Sequence, residues 1–196
     1  MAIILDGKKL RDKLLDNLKT KVEKFQTKPT LVVILVGDNP ASKIYVNNKK
    51  KMADKIGINS EVINYPSNIT EKELLTKIEE LNNDNNVTAI LVQLPLPEHN
   101  SKENVMNTIL PQKDVDGFTP YNFGKLFSGE IPTVYPCTPK GIILLLDEYN
   151  IDLDGKHAVI VGRSNIVGRP LSQMLLNKNA TVTICHSKTE NLKEIC

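Results

Sequence analysis

Apolar residues recur along this chain with two different periods, and the alternation between them predicts its architecture. In "KLRDKLLDNLKTKVEKF" they fall at Leu10, Leu14, Leu18, Val22 and Phe25, the three-to-four-residue spacing of one helical face. "TLVVILVG" follows as a short β-branched run stopped by Gly37, the pattern of a buried strand. A helical segment, "SKIYVNNKKKMADKIG", comes next, and then "SEVINYP" as a strand. "TEKELLTKIEELNND" opens with Thr70 and Glu73 three residues apart, a capping-box pattern that predicts a helix start. "VTAILVQLPLP" reads as a further buried strand ended by prolines. Continuous apolar strands separated by helices predict a parallel sheet covered on both faces.

From 98 to 137 the periodicity weakens, and the stretch is rich in Pro, Gly and Asp. "TPKGIILLLDEYN" then predicts a helix with Pro139 in its first turn. After "DLDG" the pattern restarts as strand "HAVIVG", helix "RPLSQMLLNKN", strand "ATVTICH" and the beginning of a helix, "ENLKEIC". The expected fold class is α/β, with two open parallel-sheet domains at 1–137 and 138–196 and the second of Rossmann type. Two strands and one complete helix cannot cover their own apolar faces, so this second domain is expected to be incomplete on its C-terminal side.

Composition narrows the function classes. With 25 basic against 23 acidic residues the net charge is only +2, too even for the electrostatic footprint of a nucleic-acid binder. No apolar run approaches the ~18 residues of a membrane span, and the opening "MAIILDGKKL" is too short for a signal peptide. Cys137, Cys185 and Cys196 are scattered and lack metal-ligand spacing, which fits reduced thiols in a cytoplasmic protein and no metal site.

Three consecutive lysines, Lys49, Lys50 and Lys51, raise the first chemical question. At about 100° per residue, Met52 and Ile56 fall within roughly 20° of Tyr45, and Lys49 at roughly 40°. Lys50 and Lys51 point roughly 120–140° away on either side, as a solvated pair would. Lys49 thus lies on the face that Tyr45, Met52 and Ile56 are expected to bury. There it either snorkels to an edge or lines a site.

Ligands of open α/β sheets sit outside the carboxyl ends of the strands. Gln93 is the polar residue at the end of "AILVQLPLP", either a satisfied buried amide or a ligand-site residue. Asp114 and Asp116 in "KDVDGF" read first as turn residues and make a poor metal site. "VIVGRSNIVGRP" carries Gly162, Ser164 and Gly168 between a strand and a helix. The spacing is one residue longer than the usual dinucleotide fingerprint, with Ser in place of its second glycine. The following strand ends in "CHSKT", with no acid to meet a ribose 2′-hydroxyl; Arg163, Ser187 and Lys188 instead offer donors suited to a 2′-phosphate, and so to NADP.

Together, "SKIYVNNKKK", "VQLPLP", "PQKDVDGF", "PCTPKGI" and "VGRSNIVGRP" closely resemble, in order and spacing, the bifunctional methylenetetrahydrofolate dehydrogenase/methenyltetrahydrofolate cyclohydrolase family, from about residue 3 to the end. The resemblance implies a folate-binding catalytic domain followed by an NADP-binding one, working in one-carbon metabolism. By it, Tyr45 stacks on the folate, Lys49 is the catalytic lysine, Gln93 positions Lys49, and Asp116 accepts hydrogen bonds from the pterin. Gly162, Arg163, Ser164, Ile166 and Ser187 fall where the family binds NADP. The resemblance also implies a homodimer paired through the nucleotide-binding domains, and places the family's Gly- and Pro-rich folate-contacting segment beyond residue 196.

Other readings stand beside this one. Tyr45-x-x-x-Lys49 matches the catalytic pair of short-chain dehydrogenases. There, however, the pair follows the nucleotide-binding glycines, and here it precedes them by more than a hundred residues. A non-catalytic folate-binding or regulatory module and a monofunctional member of the family are the remaining alternatives.

Overall fold

A computed structural model describes residues 2–196, and the chain divides into two units. One is Arg11–Val115; the other joins Met1–Leu10 to Asp116–Cys196. Helix α1 (Gly7–Val22) begins in the second and continues into the first. Of its predicted stripe, Leu10 and Val22 are buried and Leu14 is half-buried, whereas Leu18 and Phe25 are 43% and 58% exposed. Phe25 lies beyond the last helical residue, so the helical period no longer directs it.

In the Arg11–Val115 unit, β1 (Thr30–Val36), α2 (Pro40–Ile56), β2 (Asn59–Tyr65), α3 (Glu71–Asn83) and β3 (Ala89–Val92) follow in order. The three strands are parallel and ordered β2-β1-β3, with Val33 opposite both Val62 and Leu91. Val32, Val33 and Ile34 are fully buried, as a central strand covered on both faces requires. Val33, Leu35 and Leu91 pack with Val46 of α2 on one face. The capping box forms as the sequence predicts: the Glu73 amide donates to Thr70 Oγ1 at 3.2 Å, and the Thr70 amide donates to Glu73 Oε2 at 3.0 Å.

The strand expected over "VTAILVQLPLP" is shorter, Ala89–Val92. The Gln93 amide still donates to Ile34 O at 2.9 Å, and then a cis Leu94–Pro95 peptide and a second proline remove the donors a ladder needs. The weakly periodic stretch also holds helices. These are α4 (Lys102–Thr108), capped by Ser101, and α5 (Pro120–Phe127), capped by Thr119 with proline at its first position. About two turns are too few for an apolar period to register, so only their caps mark them in the sequence.

In the other unit, α5 is followed by α6 (Cys137–Glu148), β4 (His157–Val161), α7 (Gly168–Leu176), β5 (Thr181–Cys185) and α8 (Leu192–Ile195). Strands β4 and β5 are parallel. Leu126, Ile143, Leu171, Met174, Leu175 and Ala180 form its core, against which Ala158, Ile160 and Val182 of the sheet pack. Among the described residues, no helix is long and apolar enough to cross a membrane.

Candidate active site

The order β2-β1-β3 creates a switch point. The connection leaving β1 runs through α2 to β2 on one side, whereas β3 lies on the other and continues outward to an isolated parallel bridge between Ile90 and Asp114. Connections that part in opposite directions leave a crevice at the carboxyl ends of β1 and β3. The segments bordering that crevice are the start of α2 and the residues just past β3, Gln93 and Leu94.

Helix α2 starts at an Asn39 cap, whose side chain accepts from the Ser42 amide at 3.1 Å, with Pro40 in the first turn. Its buried residues are Ser42, Val46, Ala53 and Ile56, and Lys49 lies half-buried in that same stripe. The expected face needs correction: Tyr45 and Met52 are 63% and 37% exposed. The buried stripe is centred roughly 60° around the helix from Tyr45. Small residues, Ser42 and Ala53, are what let α2 lie close against the sheet, and the bulkier Tyr45 and Met52 are left on the shoulder. Tyr45 consequently presents an open aromatic surface beside the lysine stripe.

Lys49 Nζ donates to Gln93 Oε1 at 3.2 Å, although 44 residues separate them. Gln93 Nε2 in turn donates to Leu94 O at 2.8 Å, which orients the amide so that its oxygen faces the lysine. A half-buried primary amine held by an oriented amide at a sheet switch point is an arrangement suited to proton transfer.

In the second unit, β4 runs into the loop "GRSNIV" and then α7. A Cβ on Gly168 would lie 2.1 Å from Gly162 O, so helix and strand end pack closer than any side chain permits. Ser164, in place of the usual second glycine, accepts from the Val167 and Gly168 amides at 3.1 and 3.4 Å and closes the helix start. Above Gly162 there is open space, with nothing within 4 Å of where a Cβ would stand, so a ligand can approach the backbone. The Gly162 amide donates to Cys185 O at 2.8 Å, which sets Arg163 and the segment after β5 side by side. In that segment the His186 amide donates to Thr189 Oγ1 at 2.7 Å and the Lys188 amide to His186 Nδ1 at 3.1 Å. This turn leaves Ser187 and Lys188 exposed, as Arg163 is. Ile166 is 39% exposed on the same loop.

Asp116 belongs to this second unit. Its Oδ1 accepts from the Cys137 thiol at 3.7 Å, at the first residue of α6. The next residue, Gly117, has φ +70°, and a Cβ there would come within 2.8 Å of Val134 O, Tyr135 C and Pro136 N. The Asp-Gly pair is therefore both a turn and a close backbone crossing. Sequence reasoning did not single out Cys137 or Ser42; the place of each beside a helix start, in "PCTPKG" and "NPASK", is the signal that was available.

These two α/β units, one with a lysine–amide pair at a sheet switch point and one with a glycine-bearing strand-to-helix turn, define a dinucleotide-dependent enzyme built on separate substrate and cofactor sheets. The catalytic-domain model of the tetrahydrofolate dehydrogenase/cyclohydrolase family matches residues 5–116, and the NAD(P)-binding-domain model of the same family matches residues 136–196. The chain belongs to that family. It is 52% identical to the bifunctional protein FolD of Enterococcus faecalis over 198 residues, covering all of this chain and 70% of that protein. The crystal structure of the bifunctional FolD methylenetetrahydrofolate dehydrogenase/cyclohydrolase from Campylobacter jejuni superimposes with a TM-score of 0.97 at 50% identity, over 98% of this chain and 69% of that one. The Trypanosoma brucei dehydrogenase-cyclohydrolase, solved with NADP cofactor and inhibitor, gives 0.92 at 32% identity, over 99% of this chain and 67% of that one.

Proposed function

We propose that this protein oxidises 5,10-methylenetetrahydrofolate to 5,10-methenyltetrahydrofolate with NADP⁺ and hydrolyses that product to 10-formyltetrahydrofolate, in one-carbon metabolism. Membership of the family carries the two activities. The observation that carries their chemistry on this chain is the Lys49–Gln93 hydrogen bond at the β1/β3 switch point.

In the first reaction a hydride leaves the CH₂ that bridges two folate nitrogens, whose lone pairs stabilise the cation that forms. No general base is required, and the protein's task is to hold and orient the reactants. NADP⁺, when bound, supplies the hydride acceptor. The residues present fit it: Gly162 lets a ligand approach the backbone, and Ser164 and Ile166 line the same loop. Arg163 and Ser187 stand at neighbouring strand ends as donors for a 2′-phosphate.

In the second reaction water adds to the methenyl carbon, the bond from that carbon to N5 breaks, and N5 takes up a proton while one proton is released. Lys49 is proposed to carry protons between the water oxygen and N5, with Gln93 Oε1 holding its nitrogen in place. Tyr45 offers its exposed ring for stacking against the folate. Asp116 is proposed to accept hydrogen bonds from the pterin amino group and ring nitrogen.

We further propose a homodimer and a cytoplasmic setting; the three cysteines are free, two of them exposed. Incubation with 5,10-methylenetetrahydrofolate and NADP⁺, following NADPH and then decay of the methenyl product, tests the assignment. NADPH with accelerated methenyl decay supports both activities. Folate binding without turnover would make the protein a binding module, and NADPH without faster decay would make it a monofunctional dehydrogenase.

A further inference from the structure

The proton-transfer pair has a third support that the family assignment does not supply. Ser42 is 3% exposed, and its hydroxyl donates to Leu94 O at 3.5 Å. Leu94 O is the same atom that accepts from Gln93 Nε2 at 2.8 Å. One carbonyl therefore takes both hydrogen bonds, one from the helix that carries Lys49 and one from the amide that holds it. The Ser42 amide is fixed independently by Asn39 Oδ1 at 3.1 Å, so the residue is anchored at the start of α2 before its hydroxyl reaches across.

Ser42 and Lys49 are seven residues apart on one helical stripe, about 10 Å along the axis. A rigid helix pinned to Leu94 at one point and reaching Gln93 at the other has its register against the β3 exit fixed by two contacts. We infer that Ser42 is a positioning residue for the cyclohydrolase step, acting through the Leu94 carbonyl to hold Gln93 Oε1 against Lys49. This rests on the proposed role of Lys49 in proton transfer. Loss of the Ser42 hydroxyl frees one lone pair of Leu94 O, lets the Gln93 amide reorient, and loosens α2 where Lys49 must align. Hydride transfer, which needs no proton carrier, depends less on that alignment.

The test compares Ser42→Ala, Gln93→Ala and the double variant in the full chain, measuring both activities. Cyclohydrolase turnover in Ser42→Ala is expected to fall roughly three- to thirty-fold, through kcat rather than KM and more than dehydrogenase turnover, as a small misplacement of a reacting group does. Adding Ser42→Ala to Gln93→Ala is expected to cost little more, because the two act on one chain of bonds. Equal loss of both activities, or multiplicative losses in the double variant, would overturn the inference. A second readout stands apart from turnover. The Gln93 side-chain amide resonances, assigned by their loss in Gln93→Ala, should shift in Ser42→Ala, and unmoved resonances would sink the tie even if catalysis failed for another reason. A wild-type chain without either activity would instead count against the functional assignment, and the resonances would still decide the Ser42 contact.

Discussion

Lys49 Nζ and Gln93 Oε1 meet at 3.2 Å from two elements that are not neighbours in the chain, the middle of α2 and the residue just past β3. The contact exists because both elements border the carboxyl end of β1, which lies between β2 and β3. If that pair moves protons in hydrolysis, its removal has unequal consequences. Lys49→Met is expected to lower cyclohydrolase turnover by about 10²-fold or more, the usual size of an acid–base contribution, and to spare most of the dehydrogenase. Parallel assays of NADPH formation and methenyl decay decide it; equal losses would assign Lys49 to binding alone.

Arg163 and Ser187 stand exposed at the ends of adjacent strands. Arg163→Ala removes a charge-assisted partner of a 2′-phosphate, so KM for NADP⁺ is expected to rise on the order of ten- to a hundredfold. KM for NAD⁺, which has no phosphate there, should stay near its starting value. Steady-state kinetics with both cofactors measures the ratio, and an unchanged preference would place the phosphate elsewhere.

Gly168 has no room for a side chain against Gly162 O. Gly168→Ala should push α7 off the end of β4 and destabilise the protein by about 1–3 kcal/mol or more, as overpacking does. Urea unfolding gives the stability change and NADP⁺ titration its functional cost. A variant with native stability and affinity would mean that the strand end yields freely.

The first turn of α3 carries two carboxylates held by hydrogen bonds. Hydrogen bonds from Asn104 Nδ2 and from the Ser101 amide hold Glu71 below its ordinary value, and those from Thr70 do the same for Glu73. A carboxylate whose proton affinity is lower when folded contributes stability above its unfolded pKa and loses it as pH falls through the folded one. Stability should therefore decline with acidification through and below the ordinary glutamate range. Glu73→Gln keeps a capping acceptor but removes its titration, so the slope of melting temperature against pH should become shallower. An unaltered slope would show that the capping box forms in the unfolded chain as well.

Much of this organisation was legible without coordinates. Every long periodic segment became the element it suggested, and the Thr70–Glu73 cap is local chemistry that needs no tertiary partner. The segment from 98 to 137 was opaque because α4 and α5 have 7 and 8 residues, too short for a period to stand out. On α2, bulk misled: Tyr45 and Met52 looked like the buried face, yet Ser42 and Ala53 lie on it because small residues allow closer approach. Lys49 was placed correctly because it falls within both the expected face and the real one.

By itself the sequence determined what repeats or acts over a few residues: the alternation of strands and helices, the cap of α3, the turn at Gly162 and the set of polar groups at strand ends. Tertiary structure alone decided which of those groups meet. Strand order is set by how apolar faces are covered across the whole sheet, a property of no single segment. The order β2-β1-β3 brings Lys49 to Gln93 and places Ser42 on the Leu94 carbonyl, contacts that span 44 and 52 residues and have no periodic trace in the chain.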